Sequence, residues 1–188
     1  STSLPSLGKI EALFEHLKNE GYEQIFAVPI CTGLSGTINA MQMCAKTVGI
    51  PFDYVDCNVT AVVQDYMIHL AKDLHEKGKS ISEIKAVLES VVESTNTYLL
   101  PNDLHHLKRG GRLTATLGGL LKIKPILMIN KNTSGKIDVA DKVRTMHKAM
   151  DKVIQRMKDE HVNKDYMITV AHADDIEEAC YYMNKIKE

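Results

Sequence analysis

Five apolar residues, Ile25-Phe26-Ala27-Val28-Pro29, run straight into a short uncharged turn, Cys31-Thr32-Gly33-Leu34-Ser35-Gly36-Thr37. That turn opens onto a helical pattern, Ile38 to Lys46. A buried strand (24–30), a Gly-rich turn and a helix (35–48) in direct succession form the first half of a βαβ unit, and the pattern continues. Residues 52–57 read as a second strand and 62–78 as a helix. Ser80 and Glu83 have the spacing of a capping box for a helix to about 93, and 95–100 read as a strand closed by Pro101. An amphipathic stretch, 8–21, precedes all of this and ends on Gly21, a C-cap residue. Strands alternating with helices of this length predict a parallel sheet covered on both faces, an α/β fold.

After Pro101 the texture changes. Residues 102–112 read as a short capped helix broken at Gly110-Gly111, and a small-residue helix then leads into a strand at 126–130. The turn Asn132-Thr133-Ser134-Gly135 suggests that 124–139 form an antiparallel hairpin. A long helix (141–160), a strand (166–172) and a last helix (175–187) complete the reading. The expected architecture has two lobes: a parallel-sheet α/β lobe over 1–112 and a smaller mixed or antiparallel α/β lobe over 113–188, divided within 101–122. The chain opens on Ser1-Thr2-Ser3-Leu4-Pro5-Ser6 with no strand before its first helix, and it stops inside a helix. Both ends read as cut.

Composition narrows the function. A net charge of −1 argues against binding nucleic acid or anionic membranes through global charge. No apolar run approaches the ~20 residues that span a bilayer. Cys31, Cys44, Cys57 and Cys180 are widely spaced, with no C-x-x-C, as expected of reduced thiols in a cytoplasmic protein. With no Trp and three Phe, a base-stacking platform is not expected.

The turn at 31–37 is the strongest candidate site. In parallel sheets, ligands bind beyond the carboxyl ends of strands, where loops enter helix N-termini. Positive φ at Gly33 and Gly36 would let backbone N–H groups converge, and Thr32, Ser35 and Thr37 offer hydroxyl donors for a carboxylate or phosphate oxygen. The plain alternative is that Ser35 caps the helix and the glycines only turn the chain. Ser35 as a nucleophile lacks the second glycine of G-x-S-x-G, because Thr37 stands there. Cys31 near a helix N-terminus is a second nucleophile candidate, with small apolar filler as its alternative.

Residues 104–113 gather His105, His106, Lys108, Arg109 and Arg112 around Gly110-Gly111. An acidic partner surface or an oxyanion fits this cluster, and so does a solvated basic helix end. Adjacent histidines do not face one metal from one helix side, so no metal site is expected. The helical methionines read as core filler, or as adaptable lining for a long flexible ligand. Asp103, Asp138 and Asp141 show no pairing suited to acid–base chemistry.

Several motifs in order and spacing resemble the DegV family. They are Thr2-Ser3-Leu4-Pro5-Ser6, Thr32-Gly33-Leu34-Ser35-Gly36-Thr37, Leu107-Lys108-Arg109-Gly110-Gly111-Arg112-Leu113 and Gly119-Leu120-Leu121-Lys122-Ile123-Lys124-Pro125-Ile126-Leu127. Lys142-Val143-Arg144-Thr145 and Ala171-His172-Ala173 extend the match over nearly the whole chain. The resemblance implies a two-lobed bacterial fatty-acid-binding protein, with the acyl chain in an internal tunnel. It also implies no catalytic residue, metal or cofactor of its own.

By the same resemblance, Thr2, Ser3 and Thr32 hold the fatty-acid carboxylate, with Gly33 and Ser35 beside them. Arg112 and Arg144 then face a separate ATP-dependent fatty-acid kinase, which receives the bound acid. Leu4 departs from the family's more usual Gln, and Cys31-Thr32 from a Ser-Ser pair. The family's amino-terminal Thr-Asp-Ser strand and its carboxy-terminal His-x-Gly-x-Gly segment are not in this sequence. An anion-binding module for a phosphorylated metabolite and a Ser/Cys acyl hydrolase are the alternative readings.

Overall fold

The computed structural model describes residues 4–102 and 124–188. Helix α1 (Leu7–Asn19) leads to strand β1 (Ile25–Ala27), the turn at 31–36, helix α2 (Thr37–Val48) and strand β2 (Phe52–Tyr54). Gly49 ends α2 in the left-handed region (φ 70°), where a side chain is disfavoured, and its N–H closes on the Ala45 carbonyl. Helices α3 (Val62–Glu76) and α4 (Ile81–Glu93) follow. The expected capping box at α4 is present: the Ser80 hydroxyl accepts from the Glu83 N–H, and the Glu83 carboxylate accepts from the Ser80 N–H.

β1 and β2 pair in parallel, Ile25 opposite Phe52 and Ala27 opposite Tyr54. Alternation along the strands sends their side chains to opposite faces. Ile25 and Phe52 join Ile10, Phe14, Ala40 and Cys44 of α1 and α2. Phe26, Val28 and Val55 join Met67, Ile84 and Leu88 of α3 and α4. The parallel pair is therefore covered by helices on both faces, as the pattern predicts.

The strand expected at 95–100 forms as β3 (Thr97–Leu99), but it does not extend the parallel pair. It runs antiparallel to β4 (Lys124–Ile129), which in turn pairs antiparallel with β5 (Asp138–Val143). Polar side chains beside β3 hold this register. Asn130 donates to Asn96 at 2.7 Å, and Asn96 and Tyr98 both donate to Glu160. The β4–β5 hairpin closes through a single 3₁₀ turn at Lys131–Thr133, with Ser134 and Gly135 at positive φ. Pairing shifts register between Ile126 and Leu127, and the Ala140 carbonyl at the irregularity accepts from Arg156 at 2.6 Å.

Helix α5 (Met146–Asp159) begins at the N-cap Thr145, later than the pattern suggests, because β5 continues to Val143. Its Ala149, Met150 and Val153 pack on Ile126, Val143 and Tyr182 of the last helix, α6 (Ile176–Lys187). Residues 166–172 form no strand. Ile168 and Val170 are half-buried between exposed neighbours, the period of a strand, yet no described strand lies alongside to complete a ladder. The division placed at 112/113 lies outside the described residues.

Candidate functional site

Three turns meet at the carboxyl ends of the parallel strands. The first follows β1. Cys31 is fully buried, Thr32 is exposed, and Gly33, Leu34 and Ser35 are half-buried. The N–H groups of Leu34 and Ser35 turn back onto the Cys31 carbonyl at 3.0 and 3.1 Å. The Ser35 hydroxyl lies 2.8 Å from that of Thr37 and accepts the Thr37 N–H, so it helps to cap α2. Leu4 approaches from the amino-terminal side, 3.5 Å from the position a Cβ on Gly36 would take.

Neither Gly33 nor Gly36 has positive φ, which corrects that expectation. Gly33 is needed for a different reason. A Cβ there would collide with the Gly135 carbonyl and stand 2.6 Å from the Lys136 nitrogen, so only glycine lets the first turn lie against the β4–β5 turn. The Cys31 thiol donates to the Gly135 carbonyl at 3.4 Å, and Leu34 packs into an apolar cluster of the parallel pair and into one of the antiparallel sheet.

The turn after β2 is the third, and sequence reasoning missed its part. Asp56 accepts the Thr32 hydroxyl, and it accepts the Thr32 N–H at 3.3 and 3.4 Å on its two oxygens. The Asn58 N–H reaches Asp56 Oδ1 at 3.4 Å, with Asn58 itself at φ 49°. Parallel pairing of β1 and β2 brings Asp56 to Thr32. An Asp just past the carboxyl end of a strand, next to the strand that carries the polar turn, was the available signal.

The nucleophile candidates fare poorly. Burial, then Cys57 and Asp56, push the Cys31 thiol up to about 11, so it stays protonated at neutral pH. The Ser35 hydroxyl bonds only Thr37 among the described residues. Among the described residues, no three His, Cys, Asp or Glu side chains gather at metal-ligand range. None of the described helices is long and apolar enough to cross a membrane.

Arg144 is exposed directly after β5. Thr2, Ser3, Arg112, Asp103 and the 104–113 cluster lie outside the described residues. A groove of about 430 Å³ between β5 and α5 is lined by Asp141, Lys152, Gln155, Arg156, Asp159 and Glu160, and no residue of the three turns belongs to it. The methionines divide: Met67 and Met150 are core, whereas Met43 and Met167 are exposed.

Comparison with known proteins places this arrangement. A family model described as an uncharacterised protein of the DegV family matches residues 1–188. A DegV domain-containing protein of Streptococcus pneumoniae is 31% identical over 182 residues, covering 95% of this chain and 64% of its own. The chain spans about two thirds of the length of such curated relatives. The crystal structure of a fatty acid binding DegV family protein from Streptococcus agalactiae superimposes with a TM-score of 0.90 at 30% identity, covering all of this chain and 67% of that one. DegV from Bacillus subtilis, a fatty acid binding protein, gives 0.84 at 30% identity with the same coverage. A stearic acid-binding protein from Eubacterium ventriosum gives 0.82 at 25% identity, covering all of this chain and 66% of that one. With the family matched along its whole length, the chain belongs to the DegV family.

Proposed function

We propose that this chain binds a long-chain fatty acid and presents its head group to a separate ATP-dependent fatty-acid kinase, with no catalysis of its own. The observation that carries this reading is the exposed, hydroxyl-bearing Thr32 on a turn locked between both lobes, in a chain closely similar to solved fatty-acid-binding proteins. Thr32 and Ser35 form one side of the carboxyl site, and Thr2 and Ser3 contribute from the amino-terminal loop that reaches the turn through Leu4. Gly33 permits the close packing that fixes the turn. Apolar side chains of the two lobes enclose the tail, each buried methylene contributing about 0.8 kcal/mol.

Native mass spectrometry of the purified protein tests the reading. A copurified C14–C18 acid supports it, and a bound phosphorylated metabolite replaces it with the anion-binding alternative. Ester turnover abolished by Ser35→Ala would replace it with a hydrolase. Thr32→Val is expected to weaken palmitate binding by about 1–3 kcal/mol, because a charged head group loses a hydroxyl partner. Unchanged affinity would remove Thr32 from the site.

A further inference from the structure

β1 passes the chain to the turn without help from the backbone ladder. The last rung between β1 and β2 among the described residues runs from the Val55 N–H to the Ala27 carbonyl at 3.1 Å, and Pro29 has no N–H with which to extend it. Side chains take the next two carbonyls instead. Gln64, in the first turn of α3, donates from its amide nitrogen Nε2 to the Val28 carbonyl at 2.9 Å. The Cys57 thiol donates to the Pro29 carbonyl at 3.6 Å and to that of Val59 at 3.2 Å. A thiol is a weak donor and this one is shared between two acceptors, so the Gln64 amide is the firm contact.

The start of α3 is itself held in an unusual shape. Ala61, its N-cap, has φ 58° and ψ −126°, a conformation that a residue with a Cβ keeps only where its surroundings impose it. Val28, Pro29 and Cys31 are buried, and the Cys31 thiol is tied to Gly135. The segment from Val28 to Cys31 therefore has no room to absorb a shift by swinging into solvent. A displaced Val28 carbonyl moves Thr32.

We infer that Gln64 is a positioning residue for the carboxyl site, fixing the exit of β1 so that Thr32 stands where a fatty-acid carboxylate meets it. The inference rests on the fatty-acid reading above. Gln64 touches no ligand in this role. Its amide is committed to Val28, and its effect reaches the head group only through the turn. Placement matters because a hydrogen bond weakens steeply with distance and angle, so a loosened turn holds a carboxylate less well. Enclosure of the tail does not depend on it.

Equilibrium binding of radiolabelled palmitate and myristate to the wild-type chain, Gln64→Leu and Gln64→Glu tests this, with folding checked by circular dichroism. Glu has the size of Gln but, once ionised, no donor for Val28. Both variants are expected to bind palmitate about fivefold more weakly. Myristate should lose the same factor, leaving the ratio of the two affinities within about twofold of wild type. In a Thr32→Val background the Gln64→Leu loss should shrink below about twofold, because the residue being positioned has lost its hydroxyl. Unchanged palmitate affinity in either Gln64 variant overturns the inference, as does an undiminished loss in the Thr32→Val background. A shifted palmitate-to-myristate ratio also overturns it, since the effect would then lie in packing around the tail. Each of these leaves the fatty-acid reading in place. A wild-type chain that binds neither acid overturns both.

Discussion

Gly33 and Gly135 lie backbone against backbone, one in the turn after β1 and the other in the β4–β5 turn, so the two sheets' turns are shaped to each other at a position where no Cβ fits. Gly33→Ala is therefore expected to destabilise the fold by about 2–4 kcal/mol, since the obstruction is backbone and has no side chain to move aside. Gly135→Ala should cost at least as much: its Cβ would stand 2.9 Å from Cys31 Sγ, and its φ of 68° strains any L residue. Gly36→Ala is the control. Its Cβ would meet only Leu4 side-chain atoms at 3.5 and 3.6 Å, and less than about 1 kcal/mol is expected. Urea unfolding of the three variants checks the order.

Cys31 and Cys57 are buried beneath the turn, and Cys180 is exposed on α6. Burial raises both inner thiols, Cys31 to about 11, which leaves roughly one thiolate in a thousand at pH 8. Iodoacetamide at pH 8 is expected to label Cys180 within minutes and to spare Cys31 and Cys57 until the protein is unfolded. Rapid labelling of Cys31 in the native state, read by peptide mass mapping, would reopen its case as a nucleophile.

Much of this organisation is legible in the sequence, for identifiable reasons. The β1–turn–α2 unit, the helices on both faces and the Ser80–Glu83 cap depend on local pattern and survive folding intact. The partner of β3 is not legible, because Thr97-Tyr98-Leu99 states that a strand forms but not which edge it joins; Asn96, Asn130 and Glu160 decide that from a distance. Asp56 escapes notice for a related reason. Its contact with Thr32 exists only once β1 and β2 are in register, and no spacing rule links an Asp to a Thr through a parallel pair. Gly33 is recognisable as special, yet its cause is a collision with the distant β4–β5 turn rather than a backbone angle.

Asp53 and Lys85 tie β2 to α4 at 2.7 Å, with the ammonium 5.5 Å from the Tyr54 ring centroid. Burial pushes the Asp53 carboxyl up, but the Lys85 hydrogen bond and the Tyr54 N–H outweigh it and hold the group below its ordinary value of 3.8. A carboxyl depressed on folding contributes stability above its unfolded value and loses it as the pH falls through the folded one. Lys85 is raised from 10.5, Asp53 outweighing the opposing effect of burial, so its share is full below that value and lost above it. Asp53→Asn is expected to cost about 0.5–1 kcal/mol at pH 7, discounted for partial exposure. The difference from wild type should close as the pH falls below the ordinary carboxyl range and through the depressed folded-state value. A gap that stays constant from pH 7 down would show that the pair contributes nothing through its charge.

Arg144 is exposed where β5 gives way to Thr145, the N-cap of α5, whose hydroxyl accepts the Lys148 N–H and so fixes the backbone that carries the arginine. A protein that gives its ligand's head group to a kinase needs a docking face that stays charged. Arg suits it, because its planar fork pairs with carboxylates and phosphates at any physiological pH. Arg112, which lies outside the described residues, is the second arginine expected to serve that encounter. Replacing either by Ala is expected to leave palmitate binding within about twofold, since neither needs to touch the head group. Acyl-phosphate formation with the cognate kinase should slow by about tenfold or more at low ionic strength, with the deficit narrowing as salt screens the encounter. Two unrelated surface charges would each contribute about 0–1 kcal/mol and leave kinase turnover unchanged. Normal phosphorylation in both variants would therefore assign these arginines to the surface alone.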